Sequence, residues 1–348
     1  MKRILLTALA VSAALSAAPA VAASLNGAGG TAIYPVLQVW AQDYNQKTGT
    51  AVNYQAIGSG GGIAQIKAKT VDFANSDKPL KPDELDQAGL VQFPQVIISI
   101  VPVLNVPGIK PGQLVIDGKT LAEIYLGNIK TWNDPAIKAL NPKANRPDRA
   151  ITVVHRSDGS GTTFNFTNYL GKVDPYWQTK VGSDTSVEWP VGLGGKGNAG
   201  VAAYVQQTQG AIGYVEFAYA IQNHMVHMDM LNADGKRVKP TMDAFQAAAG
   251  NADFSKVKDF YLILTNQPGA KSWPITAATY MLMRKDYPAD KNGDVLKFLD
   301  YALHDGQAAS RKLDYVPFPA SVVKQIEASW TTELGASAWG GGKTAAMH

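Results

Sequence analysis

The chain has 348 residues, 46% hydrophobic and 17% charged, with a formal charge of +4. That balance is globular rather than disordered, and the charge is too small to argue for nucleic acid or a membrane surface as partner. It has no cysteine, which excludes thiol catalysis, disulfides, a thiol lipid anchor and cysteine metal sites.

Lys2 and Arg3 open the chain, residues 4–18 are apolar, and Ala20-Val21-Ala22 has the small-x-small form of a cleavage site. This is the pattern of an export signal over residues 1–22, cleaved near Ala22/Ala23. Its loss removes Lys2 and Arg3 and takes the charge from +4 to +2. A membrane anchor is the competing reading, disfavoured because polar, Gly-rich sequence follows a short apolar run.

Strand-like and helix-like segments then alternate, which predicts an α/β fold. Ile33, Leu37, Trp40 and Tyr44 mark one face of a helix, with Pro35 in its first turn. Val52, Tyr54 and Ala56 alternate with Asn53 and Gln55 as in a strand. A helix from about Gly61 with Ile63 and Ile66 inward follows, then a short strand over 71–74. The apolar run 95–106, broken by Pro102, suits a buried strand that crosses between two lobes. Further on, 120–125, 162–169 and 199–206 read as helices, and 151–155 and 211–217 as strands. The last elements are a strand over 275–283 and helices over 295–302 and 322–330, before a Gly-rich tail from Gly340.

Three glycine-rich turns stand out. Asn26-Gly27-Ala28-Gly29-Gly30-Thr31 precedes the first helix, Gly58-Ser59-Gly60-Gly61-Gly62 the second, and Asp158-Gly159-Ser160-Gly161-Thr162-Thr163 a third. Each offers unpaired backbone N–H groups at a helix start, where anions are stabilised, and glycine admits close approach. One such turn is usually only a cap; three can converge on an anion held between lobes. Arg156 stands beside the third turn, with Asp158 placed to steady its guanidinium. Asp77 alone reads as a loop carboxylate before Pro79.

At these residues the sequence resembles the periplasmic phosphate-binding proteins of bacterial high-affinity phosphate ABC transporters. The likeness runs through Leu25-Asn26-Gly27-Ala28-Gly29, Val52-Asn53-Tyr54-Gln55, Ile57-Gly58-Ser59, Val71-Asp72-Phe73, Asp117-Gly118-Lys119-Thr120-Leu121 and Ile124-Tyr125-Leu126-Gly127. Its most specific parts are Asp158-Gly159-Ser160-Gly161-Thr162, Gly192-Leu193-Gly194-Gly195-Lys196-Gly197-Asn198 and Gly210-Ala211-Ile212-Gly213-Tyr214-Val215-Glu216. The resemblance implies a type II periplasmic-binding-protein fold, two α/β lobes joined by two crossing strands around the ligand cleft. Its lobes would comprise 23–103 with 275–348, and 104–274. It implies phosphate contacts at Thr31, Ala32, Ser59 and Asp77 from the first lobe and at Arg156, Ser160, Gly161 and Thr162 from the second, with Asp158 supporting Arg156. It also implies a soluble monomer that delivers phosphate to membrane permease subunits, with no catalysis, cofactor or metal. The sequence departs from the family pattern at several positions: Ala32, Ile33 and Tyr34 stand where a Phe followed by Pro-Ala-Pro is common, Pro35 falls one place from a usual proline, Gly60 replaces a frequent second Ser and His155 a frequent Arg.

Phosphate retains a proton at neutral pH and sulfate does not, so an ionised Asp77 facing the ligand would accept from the first and repel the second. Sulfate and molybdate remain alternatives within the same fold. An exported phosphatase would need Ser59 or Ser160 with a base such as His155, but no Gly-x-Ser-x-Gly elbow is present. Gly192 to Asn198 fails the nucleotide-loop spacing, since Gly197 follows Lys196, and reads as a loop near the cleft or hinge. His224 and His227 among Met225, Met228 and Met230 lack further metal ligands and read as a surface loop. Trp132, Trp189 and Trp330 read as packing residues.

Overall fold

The computed structural model of the chain describes residues 24–144 and 147–335. The expected leader over 1–22 and the tail from Gly340 lie outside the described residues. Apolar and alternating stretches give the strands β1 Ser24–Gly29, β2 Ala51–Ala56, β3 Phe73–Ser76, β4 Leu90–Leu104, β5 Val115–Ile116, β6 Thr152–Arg156, β7 Leu193–Gly195, β8 Ala211–Glu216, β9 Val226–His227, β10 Asp229–Leu231, β11 Arg237–Val238 and β12 Thr276–Arg284. The main sheet runs β2-β1-β3-β12-β4-β8-β6-β7, with β9 also on β4; β11, β10 and β5 form a small second sheet. This is the mixed α/β architecture expected of a type II periplasmic-binding fold.

β4 is the element that joins the two halves. All of its 15 residues are buried. Leu90 to Ser99 pair antiparallel with β12, and Ile100 to Leu104 pair with β8. The strand starts five residues before the expected Gln95, because two glutamines that break the apolar run are themselves buried. Gln92 bonds the backbone of Leu80 in both directions at 2.8 Å, and Gln95 Nε2 donates to Leu299 O at 3.2 Å. β3 likewise ends later than expected, at Ser76, since buried Asn75 donates to Thr279 Oγ1 at 2.8 Å and Tyr280 O at 3.1 Å. A polar side chain that satisfies itself in this way extends a strand past what an apolar pattern shows.

Three sequence readings are corrected. The stretch from Asn26 to Gly29 is strand β1, parallel to both β2 and β3, rather than a turn. Its glycines serve close packing: a Cβ on Gly27 would lie 2.3 Å from the Phe73 ring, and one on Gly29 2.1 Å from Asn75 O. The turn begins only at Gly30. Gly192 to Asn198 is not a plain loop: it contains β7, paired with β6, and the start of the helix Gly197–Gln207. Nor is the His224–Met230 stretch a surface loop, because it carries β9 and the start of β10, and Met225, Met228 and Met230 are buried.

The helices Tyr34–Thr48, Ser59–Lys67, Gly161–Val173, Ala289–Leu303 and Ala320–Leu334 fall where periodicity predicts them. Val36, Leu37, Trp40 and Tyr44 turn inward from the first, and Pro35 sits in its opening turn. Trp132 and Trp330 are buried as expected, and half-buried Trp189 stacks on His155 with ring centroids 4.7 Å apart. No helix among the described residues is long and apolar enough to cross a membrane.

Candidate functional site

Four helix starts meet at the seam between the halves. From the first half come the turn Gly30–Ile33 before Tyr34–Thr48, and Gly58 before Ser59–Lys67. From the second come Ser160 before Gly161–Val173, and Lys196 before Gly197–Gln207. They touch directly, once backbone to backbone and twice through a hydroxyl. Gly60 N donates to Gly159 O at 2.9 Å, Gly161 N to Ser59 Oγ at 3.1 Å, and Asn198 N to Thr31 Oγ1 at 3.2 Å. Asn165 Nδ2 donates to Asp77 O at 2.7 Å. Glycine is required for this approach at two places. A Cβ on Gly58, whose φ is +89°, would stand 2.3 Å from Asp158 Oδ2; one on Gly161 would stand 2.5 Å from Ser59 Oγ.

The expected residues Thr31, Ala32, Ser59, Asp77, Arg156, Ser160, Gly161 and Thr162 are all buried there. Arg156 ends β6, and Asp158 holds it in a two-pronged pair, Nε to Oδ1 at 2.8 Å and Nη2 to Oδ2 at 2.5 Å. Gly197 N adds a third bond to Asp158 Oδ1, at 2.9 Å. Burial alone would raise the Asp158 carboxyl, but the Arg156 guanidinium outweighs it and holds it below the usual carboxylate range. The remaining guanidinium nitrogen, Arg156 Nη1, is buried without a hydrogen-bond partner.

Asp77 follows β3 directly and is 1% exposed. Thr279 Oγ1 donates to its Oδ1 at 2.7 Å, while Oδ2 has no partner. Burial pushes this carboxyl up to about 6, against the downward pull of Thr279, Arg156 and Thr162. Thr162 Oγ1 lies close enough to favour the charged form, yet is itself buried without a hydrogen bond of good geometry.

The other hydroxyls act as acceptors. Ser59 Oγ accepts from Asp77 N at 3.2 Å and Gly161 N at 3.1 Å. Ser160 Oγ caps its helix by accepting from Thr163 N at 3.0 Å, and Thr31 Oγ1 accepts from Asn198. Each retains a proton to donate. The Gly161 N–H donates to one of these hydroxyls, Ser59 Oγ.

Several neighbours escape a reading of the sequence. Asn198 Nδ2 donates to Thr31 Oγ1 at 2.7 Å while its Oδ1 accepts from Glu216 N at 2.9 Å. Thr279 lies some 200 positions from Asp77, and only folding brings the two together. Glu216 is fully buried, which pushes its carboxyl well above the usual range, and its Oε2 accepts from Ala218 N at 2.8 Å. The signal for Asn198 was its place after the Gly192-to-Gly197 run; Thr279 and Glu216 sit in strand-like apolar sequence that reads as core. His155 is half-buried, its pKa lowered by burial, and its Nδ1 lies 3.0 Å from Arg156 O. Among the described residues, three side chains with metal-ligating spacing, Asp300, His304 and Glu327, form a separate group, with His304 Nε2 2.7 Å from Glu327 Oε1.

The site thus presents one buried carboxylate oxygen, one guanidinium nitrogen and one hydroxyl without partners, ringed by hydroxyl donors. A buried polar group left unpaired costs about 1–3 kcal/mol, more when charged. A small oxyanion that accepts from most of these groups and donates to one would satisfy them together.

The comparisons with known proteins agree. Residues 15–305 match the family model of the PBP superfamily domain. The chain is 54% identical over 311 residues to the phosphate-binding protein PstS of Xylella fastidiosa, covering 89% of this chain and 85% of that protein. Identity to PstS of Haemophilus influenzae is 53% over 313 residues, covering 89% and 93%. In fold it is similar to a solved human phosphate binding apolipoprotein, with a TM-score of 0.72 at 20% identity, covering 90% of this chain and 98% of that one.

Proposed function

Since the chain belongs to the PstS family of phosphate-binding proteins, we propose that it captures inorganic phosphate between its two α/β halves and delivers it to an ABC-type phosphate permease. Of the two lobes, 23–103 with 275–348 and 104–274, the described residues meet at β4 and at the segment leading into β12. The protein works in the periplasm after removal of the leader near Ala22/Ala23, and it binds without catalysing.

One observation carries the reading: the partnerless buried set of Asp77 Oδ2, Arg156 Nη1 and Thr162 Oγ1. Arg156, fixed by Asp158, supplies the one full positive charge. Thr31, Ser59, Ser160 and Thr162 supply hydroxyl protons, and the backbone at Ala32 supplies an amide. Neutral dipoles are strong donors in a site closed to water, so a dianion need not meet two cations. Asp77 sets the choice of anion. Its unpaired oxygen accepts the proton that phosphate still carries, and it opposes an anion that has none.

Calorimetric titration with phosphate, sulfate and molybdate tests this. The expected result is one tight phosphate site with little or no heat from the other two. Tighter binding of sulfate or molybdate would overturn the assignment of the anion, and turnover of a chromogenic phosphoester by pure protein would overturn the non-catalytic reading.

A further inference from the structure

The turn of Thr31, Ala32 and Ile33 is deeply buried, at 6%, 0% and 0% exposure. Among the described residues, no hydrogen bond within the chain takes up the N–H groups of these three residues. A buried N–H without a partner is rare, and this run of three follows directly on Gly30, where a Cβ would stand 3.2 Å from Asp77 Oδ1.

The opposite edges of the same peptide groups are as distinctive. Tyr54 Oη donates to Gly30 O at 2.9 Å, Tyr219 Oη to Thr31 O at 2.8 Å, and Tyr315 Oη to Ala32 O at 2.6 Å, the shorter of its two contacts, the other being Glu216 Oε2 at 3.1 Å. Three successive carbonyls each receive a phenol. The phenols come from β2, from the helix Phe217–Gln222 and from the segment after the helix Gln307–Lys312, so no local turn explains them. Burial raises the pKa of all three, which keeps them protonated as donors.

Each carbonyl shares a planar peptide with the next residue's N–H: Gly30 with Thr31, Thr31 with Ala32, and Ala32 with Ile33. A hydrogen bond accepted at the oxygen draws charge across the partial double bond and strengthens the N–H as a donor. Tyr34 N also reaches Thr31 O, at 3.3 Å, a longer contact that adds to the same effect.

We propose that Tyr54, Tyr219 and Tyr315 are positioning residues that polarise the Thr31, Ala32 and Ile33 amides, one phenol to one amide, making this turn a stronger anion donor than an ordinary helix start. The proposal rests on the phosphate reading for its anion, but the polarisation itself does not need a ligand.

The test uses the full mature protein and the single variants Tyr54→Phe, Tyr219→Phe and Tyr315→Phe, each keeping its ring and losing one O–H. In the ligand-free protein, amide proton shifts of Thr31, Ala32 and Ile33 are compared by NMR. Tyr54→Phe is expected to move Thr31 upfield most, Tyr219→Phe Ala32, and Tyr315→Phe Ile33. Phosphate affinity should fall about three- to tenfold per variant, the scale of one modest hydrogen-bond difference. A merely structural role would lower thermal stability without this one-to-one pattern. Amides that stay put or move together, or unchanged phosphate affinity in variants of a binding-competent wild type, would overturn the proposal. Wild-type protein that binds no phosphate would overturn the functional reading instead, and the ligand-free shifts would still decide the polarisation. If one variant does not fold, either of the other two suffices.

Discussion

Replacing Asp77 by Asn isolates the selectivity argument, because the amide keeps the shape and changes one atom. Thr279 Oγ1 still donates to the side-chain oxygen, as it does now to Oδ1 at 2.7 Å. The unpartnered Oδ2 becomes an NH2 donor. A sulfate oxygen facing Oδ2 meets an unpaired, like-charged acceptor, worth at least about 1–3 kcal/mol. Removing it should raise sulfate affinity by about tenfold or more. Phosphate loses the acceptor for its proton and should weaken, so the phosphate-to-sulfate ratio narrows from both sides. The same change acts on stability without ligand. The folded carboxyl is raised from 3.8 to about 6, first by burial. Between those values the native state holds the proton and the unfolded chain releases it, so stability falls as pH rises through this window. Above pH 6 the ionised side chain costs the wild type up to about 3 kcal/mol. Ligand-free Asp77→Asn should therefore melt higher than wild type at pH 7–8, with the gain fading between pH 6 and 4. Competitive calorimetry and thermal melts over that range measure both. An unchanged anion ratio would refute the role given to Asp77, and an advantage that grows at acid pH would refute its burial as an ionised group.

Arg156→Lys cannot reproduce the two-pronged pair with Asp158 and should lose at least about tenfold in phosphate affinity, roughly 1.4 kcal/mol, by titration. Gly161→Ala places a methyl 2.5 Å from Ser59 Oγ and 2.7 Å from Asp77 N. It should abolish binding and also lower the ligand-free melting temperature, because the methyl has no room in the packed seam, read by titration and thermal melts. Asn198→Ala removes the donors and acceptor that tie Thr31 to Glu216 N. It should weaken phosphate by about three- to tenfold, read by the same titration, while Asn198→Asp, which loses the Nδ2 donor, should not restore it.

Helix periodicity and the glycine turns at Ser59 and Gly161 are legible in the sequence because they are local. Leu37, Trp40 and Tyr44 repeat at helical spacing whatever surrounds them, and a glycine before a helix keeps its meaning in isolation. β1 was not legible, because the glycines that let it lie against Phe73 and Asn75 are the same letters that make a turn. Gln92 and Gln95 hid the start of β4 for a related reason: their burial depends on backbone partners far along the chain. Asp77 reads as an ordinary loop carboxylate until family likeness singles it out, and its partner Thr279 carries no mark at all. The Met residues around His227 looked exposed by their polar neighbours, yet pack inward once β9 and β10 pair. Contacts of this kind are made by topology, and no window of neighbouring residues contains them.

The place of β12 also has a consequence for how the molecule comes to be. β3 and the first part of β4 are made early in the chain, yet their shared neighbour in the sheet is β12, and Asn75 bonds to Thr279 across 204 positions. The N-terminal half of the sheet therefore cannot be completed until the chain is nearly finished. Closing so large a loop before its contacts reward it makes for slow assembly. Until β12 is made, the facing edges of β3 and β4 have no strand between them, so the strands formed first cannot build this half of the sheet on their own.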